Sequence, residues 1–294
     1  MSENASLFWR ALAAAVFDWS VAWASGLMLA RHWLRQYGAP GIAVRVPPLR
    51  HAAALMAAAL AAQFCILTIT MTDSMHWAAL RETLPLVAAM HAGRAVLLTL
   101  AAACLLLMLS LFQDQRVSEP LTAPALLLVI AFHSAVGHAA SNGDFSRYEV
   151  LQFFHLASMA LWAGGVLVSG FVMAPRFAVA FEAIDAGYLR ALSTVATYAV
   201  SVVLLTGAIK GWLGLDGDLR GLWRSGWGLI LSAKLACVAL ALTLGLLHRR
   251  WIAGRKSAWN PEQTKVLLQT LRAEAACLTL AILLSGWLAN VDPS

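Results

Sequence analysis

Along the chain, apolar stretches of about 20 residues or more alternate with short polar connections, and no segment alternates apolar and polar positions with period two. A helix rises about 1.5 Å per residue, so each stretch is long enough to cross roughly 30 Å of hydrocarbon. The missing period-two pattern argues against a membrane β-barrel. The pattern predicts eight transmembrane helices, over residues 7–30, 50–72, 85–112, 121–141, 148–173, 191–212, 226–248 and 265–289. The expected fold is therefore an all-α polytopic bundle forming a single integral membrane domain over 1–294. Within it, 1–180 is expected to form a five-helix amino-terminal part and 185–290 a three-helix carboxy-terminal part. The opening segment, MSENASLFWRALAAAVFDWS, has no basic n-region and holds Asp18 inside its apolar run, so it reads as the first span rather than as a cleaved signal peptide.

Charge gives the spans a direction. The first, third, fifth and seventh connections carry Arg31, Arg35, Arg45, Arg50, Arg116, Arg176, Arg190, Arg249, Arg250, Arg255, Lys256 and Lys265. The other connections hold only Arg81, Arg147, Arg220 and Arg224. With twelve basic residues against four, the positive-inside rule places the odd connections in the cytoplasm and both termini in the periplasm of a bacterial inner membrane. The formal charge of +6 is thus explained by orientation, and no nucleic-acid partner is expected. Hydrophobic residues make up 61% of the chain and charged residues 12%, about half the charged share of a soluble domain, so the lipid bilayer is its main solvent. The four cysteines all fall within apolar segments and form no C-x-x-C pair, which reads as packing.

Against this background the histidines stand out. His91, His133 and His155 are expected roughly 9 to 12 Å below the outer surface on three different spans. His138 lies nearer the surface, and the connection MTDSMHW adds Met71, Asp73, Met75 and His76 at the same mouth. Met159, four residues after His155, shares its helix face. Taken singly, each imidazole is explained by a bond to a neighbouring helix, worth about 0.6 to 2 kcal/mol. Three at one depth suggest a metal site instead, and the added thioethers favour copper, as Cu(I) or Cu(II). His133 and His138 are five residues apart and diverge by roughly 140°, which suits two tiers better than one ion. His32, His51 and His248 fall at the inner rim and call for no special role. Buried charges also need partners: Asp18 with Arg94 is the simplest pairing, and Lys234, Arg272 and Glu274 read as structural ion-pair members. The small residues of LWAGGVLVSG, 161–170, suit a close helix interface.

Several segments resemble the bacterial copper resistance protein D family: YLRALSTVATYAVSVVLLTGAIKGW from Tyr188, GWGLILSAKL, LHRRW and LRAEAACLTLAILLSGW, together with VGHAAS and FHLASMALWAGG upstream. The resemblance spans about residues 80 to 290 and implies copper handling at the cytoplasmic membrane, with uptake from a periplasmic copper carrier. It also implies that Thr206, Gly207 and Trp212 lie on the family's TG...W stretch, Lys234 on its LLxKL stretch, and His138 and His155 on its membrane histidine motifs. His248 departs from the family, which usually has Asn there, and so does the NVDPS ending. The expected function is copper transport across the cytoplasmic membrane, inward from the periplasm, with no enzymatic activity. Two alternatives stay open: a b-type haem protein using two of these histidines as axial ligands, and a copper-resistance partner or sensor that moves no ion. Oligomeric state is not set by the sequence.

Overall fold

The computed structural model of the protein describes residues 3–38, 46–72, 76–112, 119–136, 146–176, 186–214, 225–253 and 261–291. They form α1 (Glu3–Tyr37), α2 (Leu49–Thr72), α3 (Trp77–Ala89), α4 (His91–Leu111), α5 (Glu119–Ser134), α6 (Arg147–Leu167), α7 (Ala186–Gly214), α8 (Gly226–Ala253) and α9 (Pro261–Leu288). α6 runs on through a π-helical turn at Val168–Met173. The fold is all-α, as the apolar runs predict. Among the described residues, seven helices are long and apolar enough to span a bilayer: α1, α2, α4, α6, α7, α8 and α9. The remaining expected span, 121–141, corresponds to α5, whose described helix has 16 residues and reaches only about 24 Å.

The expected third span, 85–112, is two helices. The chain turns at Met90, whose backbone is extended (φ −68°, ψ 152°), and α3 lies back against the first turn of α4. Gly93 makes that contact feasible, since a Cβ there would stand 1.8 Å from the Val87 carbonyl oxygen. Hydropathy averaged over a span-length window runs through the break, because LVAAM before it and AVLLTL after Arg94 are apolar and outweigh the short HAGR between them. His91 is consequently the first residue of α4, at its end, rather than several residues inside a span.

α1 occupies the centre, packed on α2, α6 and α9. Lipid is as apolar as a leucine side chain, so helices in a bilayer associate through close van der Waals fit, which small residues permit. At the α1–α6 crossing a Cβ on Gly26 would lie 2.0 Å from the Gly164 carbonyl oxygen, and one on Gly164 would lie 2.0 Å from that of Ala22. The α1–α9 crossing repeats the device at Gly286, 2.5 Å from the Ala11 oxygen. Gly170, within the π-helical turn, meets Leu271 and Ala275 of α9. Next to it, Ser169 and the Tyr188 hydroxyl of α7 share a buried 3.0 Å hydrogen bond. α6 is the most buried spanning helix and α8 the least. α8 leans mainly on α9 and turns Leu229, Leu235, Leu240 and Leu246 outward, as a lipid-facing helix should.

Substituting Gly164 by Ala is expected to cost about 1–3 kcal/mol through overpacking, read as a lowered thermal midpoint of the purified chain in detergent. Gly211→Ala is the control. Its Cβ would meet nothing within 4 Å, so it should be neutral or slightly stabilising.

Candidate functional site

α5 ends, α6 begins, α7 ends and α8 begins at one end of the bundle. Eight residues into α6, about 12 Å along the helix, stands His155. Its Nδ1 lies 2.8 Å from the Thr206 hydroxyl of α7. The Thr206 hydroxyl donates its one hydrogen to its own helix, at 2.7 Å from the Val202 carbonyl and 3.2 Å from that of Val203. With that hydrogen on the Val202 carbonyl, the Thr206 oxygen is the acceptor for His155 Nδ1–H and the ring's lone pair falls on Nε2; the Val203 backbone also bonds to the ring. The neighbouring Gly207 gives the ring its room: a Cβ there would sit 3.4 Å from Cε1. The TG pair singled out by family resemblance and the histidine singled out separately are therefore one contact. Met159, one turn along α6, is half-buried against the core.

Charged groups surround this ring. Lys210, one turn beyond Thr206, donates to the Gln152 side chain of α6. Both Lys210 and Lys234 act electrostatically on His155, and both act on Asp18 of α1, Lys234 more strongly. Asp18 therefore lies within the electrostatic reach of amines on α7 and α8. Arg94, its expected partner, lies on an exposed face of α4, a helix that packs on α2, α3 and α5. Asp18 and the two amines thus stand together in the surroundings of the imidazole.

The other candidate ligands are dispersed. His133, at the end of α5, packs its ring on Phe17 of α1 at a centroid distance of 4.0 Å. Its Nδ1 is buried with no hydrogen-bond partner among the described residues. Phe17 and Asp18 are consecutive and so point about 100° apart around α1, which sets His133 and the lysine cluster on different sides of that helix. His91 is half-buried at the start of α4, and His76 and Met71 are exposed on either side of the α2–α3 connection. Met75 and His138 lie outside the described residues, as does Asp73. Among the described residues, no three His, Cys, Asp or Glu side chains come together as a metal-binding group.

A second polar site lies toward the other end, between α8 and α9. His248, which the sequence reading set aside, is 3.0 Å from the Glu274 carboxylate through Nδ1 and 2.8 Å from the Thr270 hydroxyl through Nε2. Arg272 is not the partner of Glu274. Two residues apart on a helix, they face nearly opposite ways, and Arg272 is exposed where Glu274 is buried. Glu274 had been noted as needing a partner, and the short α8–α9 connection was the available clue to where it stands.

The seven long apolar helices of the described residues, packed in one bundle, define a multi-pass α-helical membrane protein. Within that class, residues 186–288, covering α7 to α9, match the family described as copper resistance protein D. The resemblance read from the sequence is thereby borne out for these helices. The chain is also similar to the "Copper transport protein CutJ" of Bacillus subtilis (strain 168), 26% identical over 169 residues that make up 58% of this chain and 29% of that protein. The match thus spans less than a third of the relative's length. No solved structure matches the chain.

Thr206→Val, which keeps the shape and removes the acceptor, should orphan the His155 Nδ1–H and destabilise the protein by about 1–3 kcal/mol. Thr206→Ser should retain most of the stability. Thermal unfolding of the two purified variants, compared with the wild type, checks this.

Proposed function

We propose that this protein moves copper ions across the bacterial cytoplasmic membrane, inward from the periplasm, without catalysing a reaction. The observation that carries the reading is His155. Its orientation is fixed by the hydroxyl of Thr206, inside the region that matches the copper resistance protein D family, and its Nε2 keeps a lone pair for a metal. A ring locked through one nitrogen and open at the other is how proteins ready an imidazole for a metal ion. In this reading α5 counts as the eighth span. Both termini then lie in the periplasm, and His76, His91, His133, His138, Met71 and Met75 form the outer approach, where a periplasmic carrier would deliver copper.

The groups around His155 bear on the form of the cargo. Whatever positive charge Lys210 and Lys234 carry repels Cu(II) twice as strongly as Cu(I), because Coulomb energy scales with ionic charge. The thioether of Met159 on the same helix face also suits the monovalent ion. Cu(I) is therefore the favoured cargo, with Asp18 offsetting part of the barrier.

Proteoliposomes containing only this chain test the reading. Copper supplied outside under reducing conditions should enter wild-type vesicles, and His155→Ala should abolish most of that entry. Unchanged entry in His155→Ala would remove the site from the route. Absence of entry in wild type would leave the chain as a partner of another copper protein. The purified chain should hold copper by elemental analysis and show no Soret band; a strong Soret band would favour the haem alternative.

A further inference from the structure

The His248–Glu274 pair has no part in the route just described, yet it is built as a site. Both side chains are almost fully buried, at 7% and 3% exposure. Thr270 donates its hydroxyl hydrogen to its own helix, where Val266 and Leu267 carbonyl oxygens lie at 2.9 and 3.0 Å. Its oxygen therefore accepts from His248, which puts a proton on Nε2. What remains between Nδ1 and the Glu274 oxygen at 3.0 Å is room for one proton. With it, the pair is imidazolium and carboxylate, or imidazole and carboxylic acid, and is neutral in both cases. Without it, a lone pair faces a carboxylate and the pair carries a charge of −1.

Two further observations set this pair apart from a sealed structural contact. It lines a cavity of about 180 Å³ between α6, α7, α8 and α9, enough for several waters. The second oxygen of Glu274, Oε1, has no hydrogen bond from the described residues, and it faces Gly245, where a Cβ would come within 3.1 Å of it. The absence of a side chain at 245 keeps the approach to that oxygen open from the cavity. The charged and titratable groups facing the pair are few. Arg249 of α8 lines the same cavity and donates to Thr197 of α7. Cys277 of α9 interacts with Glu274 and has Cys237 of α8 nearby. α6 and α7 line the cavity with Trp162, Ser193, Thr197, Ser201 and apolar residues, none of them titratable.

We propose that His248 and Glu274 form a proton-exchange site, which releases its shared proton to cavity water when a cation arrives and takes a proton back when the cation leaves. The balance is simple: the proton passes from the Nδ1–Oε2 contact to water, the pair becomes anionic, and the cation supplies the missing positive charge. Copper movement would then be accompanied by proton movement in the opposite direction. This step rests on the copper-transport reading, whereas proton exchange at the pair stands without it.

The test reconstitutes the full chain in vesicles with a pH-sensitive dye sealed inside, and follows copper entry and internal pH together. Wild type should show a copper-dependent proton movement outward. Glu274→Gln and His248→Asn, which keep hydrogen-bonding side chains in place, should admit copper with loss of that proton signal. Gly245→Ala should slow it. A proton signal undiminished in both pair variants, or absent in wild-type vesicles that take up copper, overturns the proposal. If copper entry fails in the wild type or in the variants, infrared difference spectra of the purified chain through a pH titration decide. A titrating carboxyl band lost in Glu274→Gln and shifted in His248→Asn supports proton exchange. A spectrum in which Glu274→Gln removes no titrating band overturns it.

Discussion

The backbone contact between α1 and α6, at Gly26 and Gly164, is the constraint from which the rest of the bundle follows. Two helices whose backbones touch leave no space for intervening side chains. This fixes Asp18 of α1 and His155 of α6 relative to one another, as well as the surfaces against which α7, α8 and α9 must fit. The same requirement recurs where α9 crosses α1 at Gly286 and where it crosses α6 at Gly170. In lipid such contacts carry the weight that water exclusion carries in a soluble core. A tight central frame then lets the less buried α7 and α8 hold polar groups at defined positions along their inner faces.

Those polar groups fall into two sets. Toward one end, His155, Lys210, Lys234 and Asp18 combine an oriented imidazole with two amines and a carboxylate. Toward the other, His248 and Glu274 form a pair that is neutral when it holds one proton. Lys234 and His248 are fourteen residues apart on α8, about 21 Å of helix, so the two sets stand at different levels of the bundle.

Much of this was legible in the sequence, for identifiable reasons. Long apolar runs force helices in a bilayer, and Gly and Ser in 161–170 announced the face on which α6 would be crossed. The break at Met90 was hidden, because His91, Gly93 and Arg94 are too few to interrupt the surrounding apolar run and the Gly93 contact is tertiary. That break moved His91 to a helix end and weakened the argument from common depth. Periodicity along one helix also says nothing about which faces of different helices meet. His133 and His155 thus lie on different sides of α1, and Asp18 lies within the electrostatic reach of lysines on α7 and α8. The His248 contact was nearer to reach: in an antiparallel hairpin Ala253 stands opposite Pro261, which brings His248 within about one turn of Thr270. Treating His248 as a solvated rim residue discarded that register.

The central claim is that copper meets this protein at the open nitrogen of His155. Anomalous scattering at the copper edge from crystals of the copper-loaded chain tests it most directly. The account predicts a copper peak at bonding distance from His155 Nε2, with Nδ1 still held by Thr206. A peak elsewhere with the His155 ring unoccupied would contradict it.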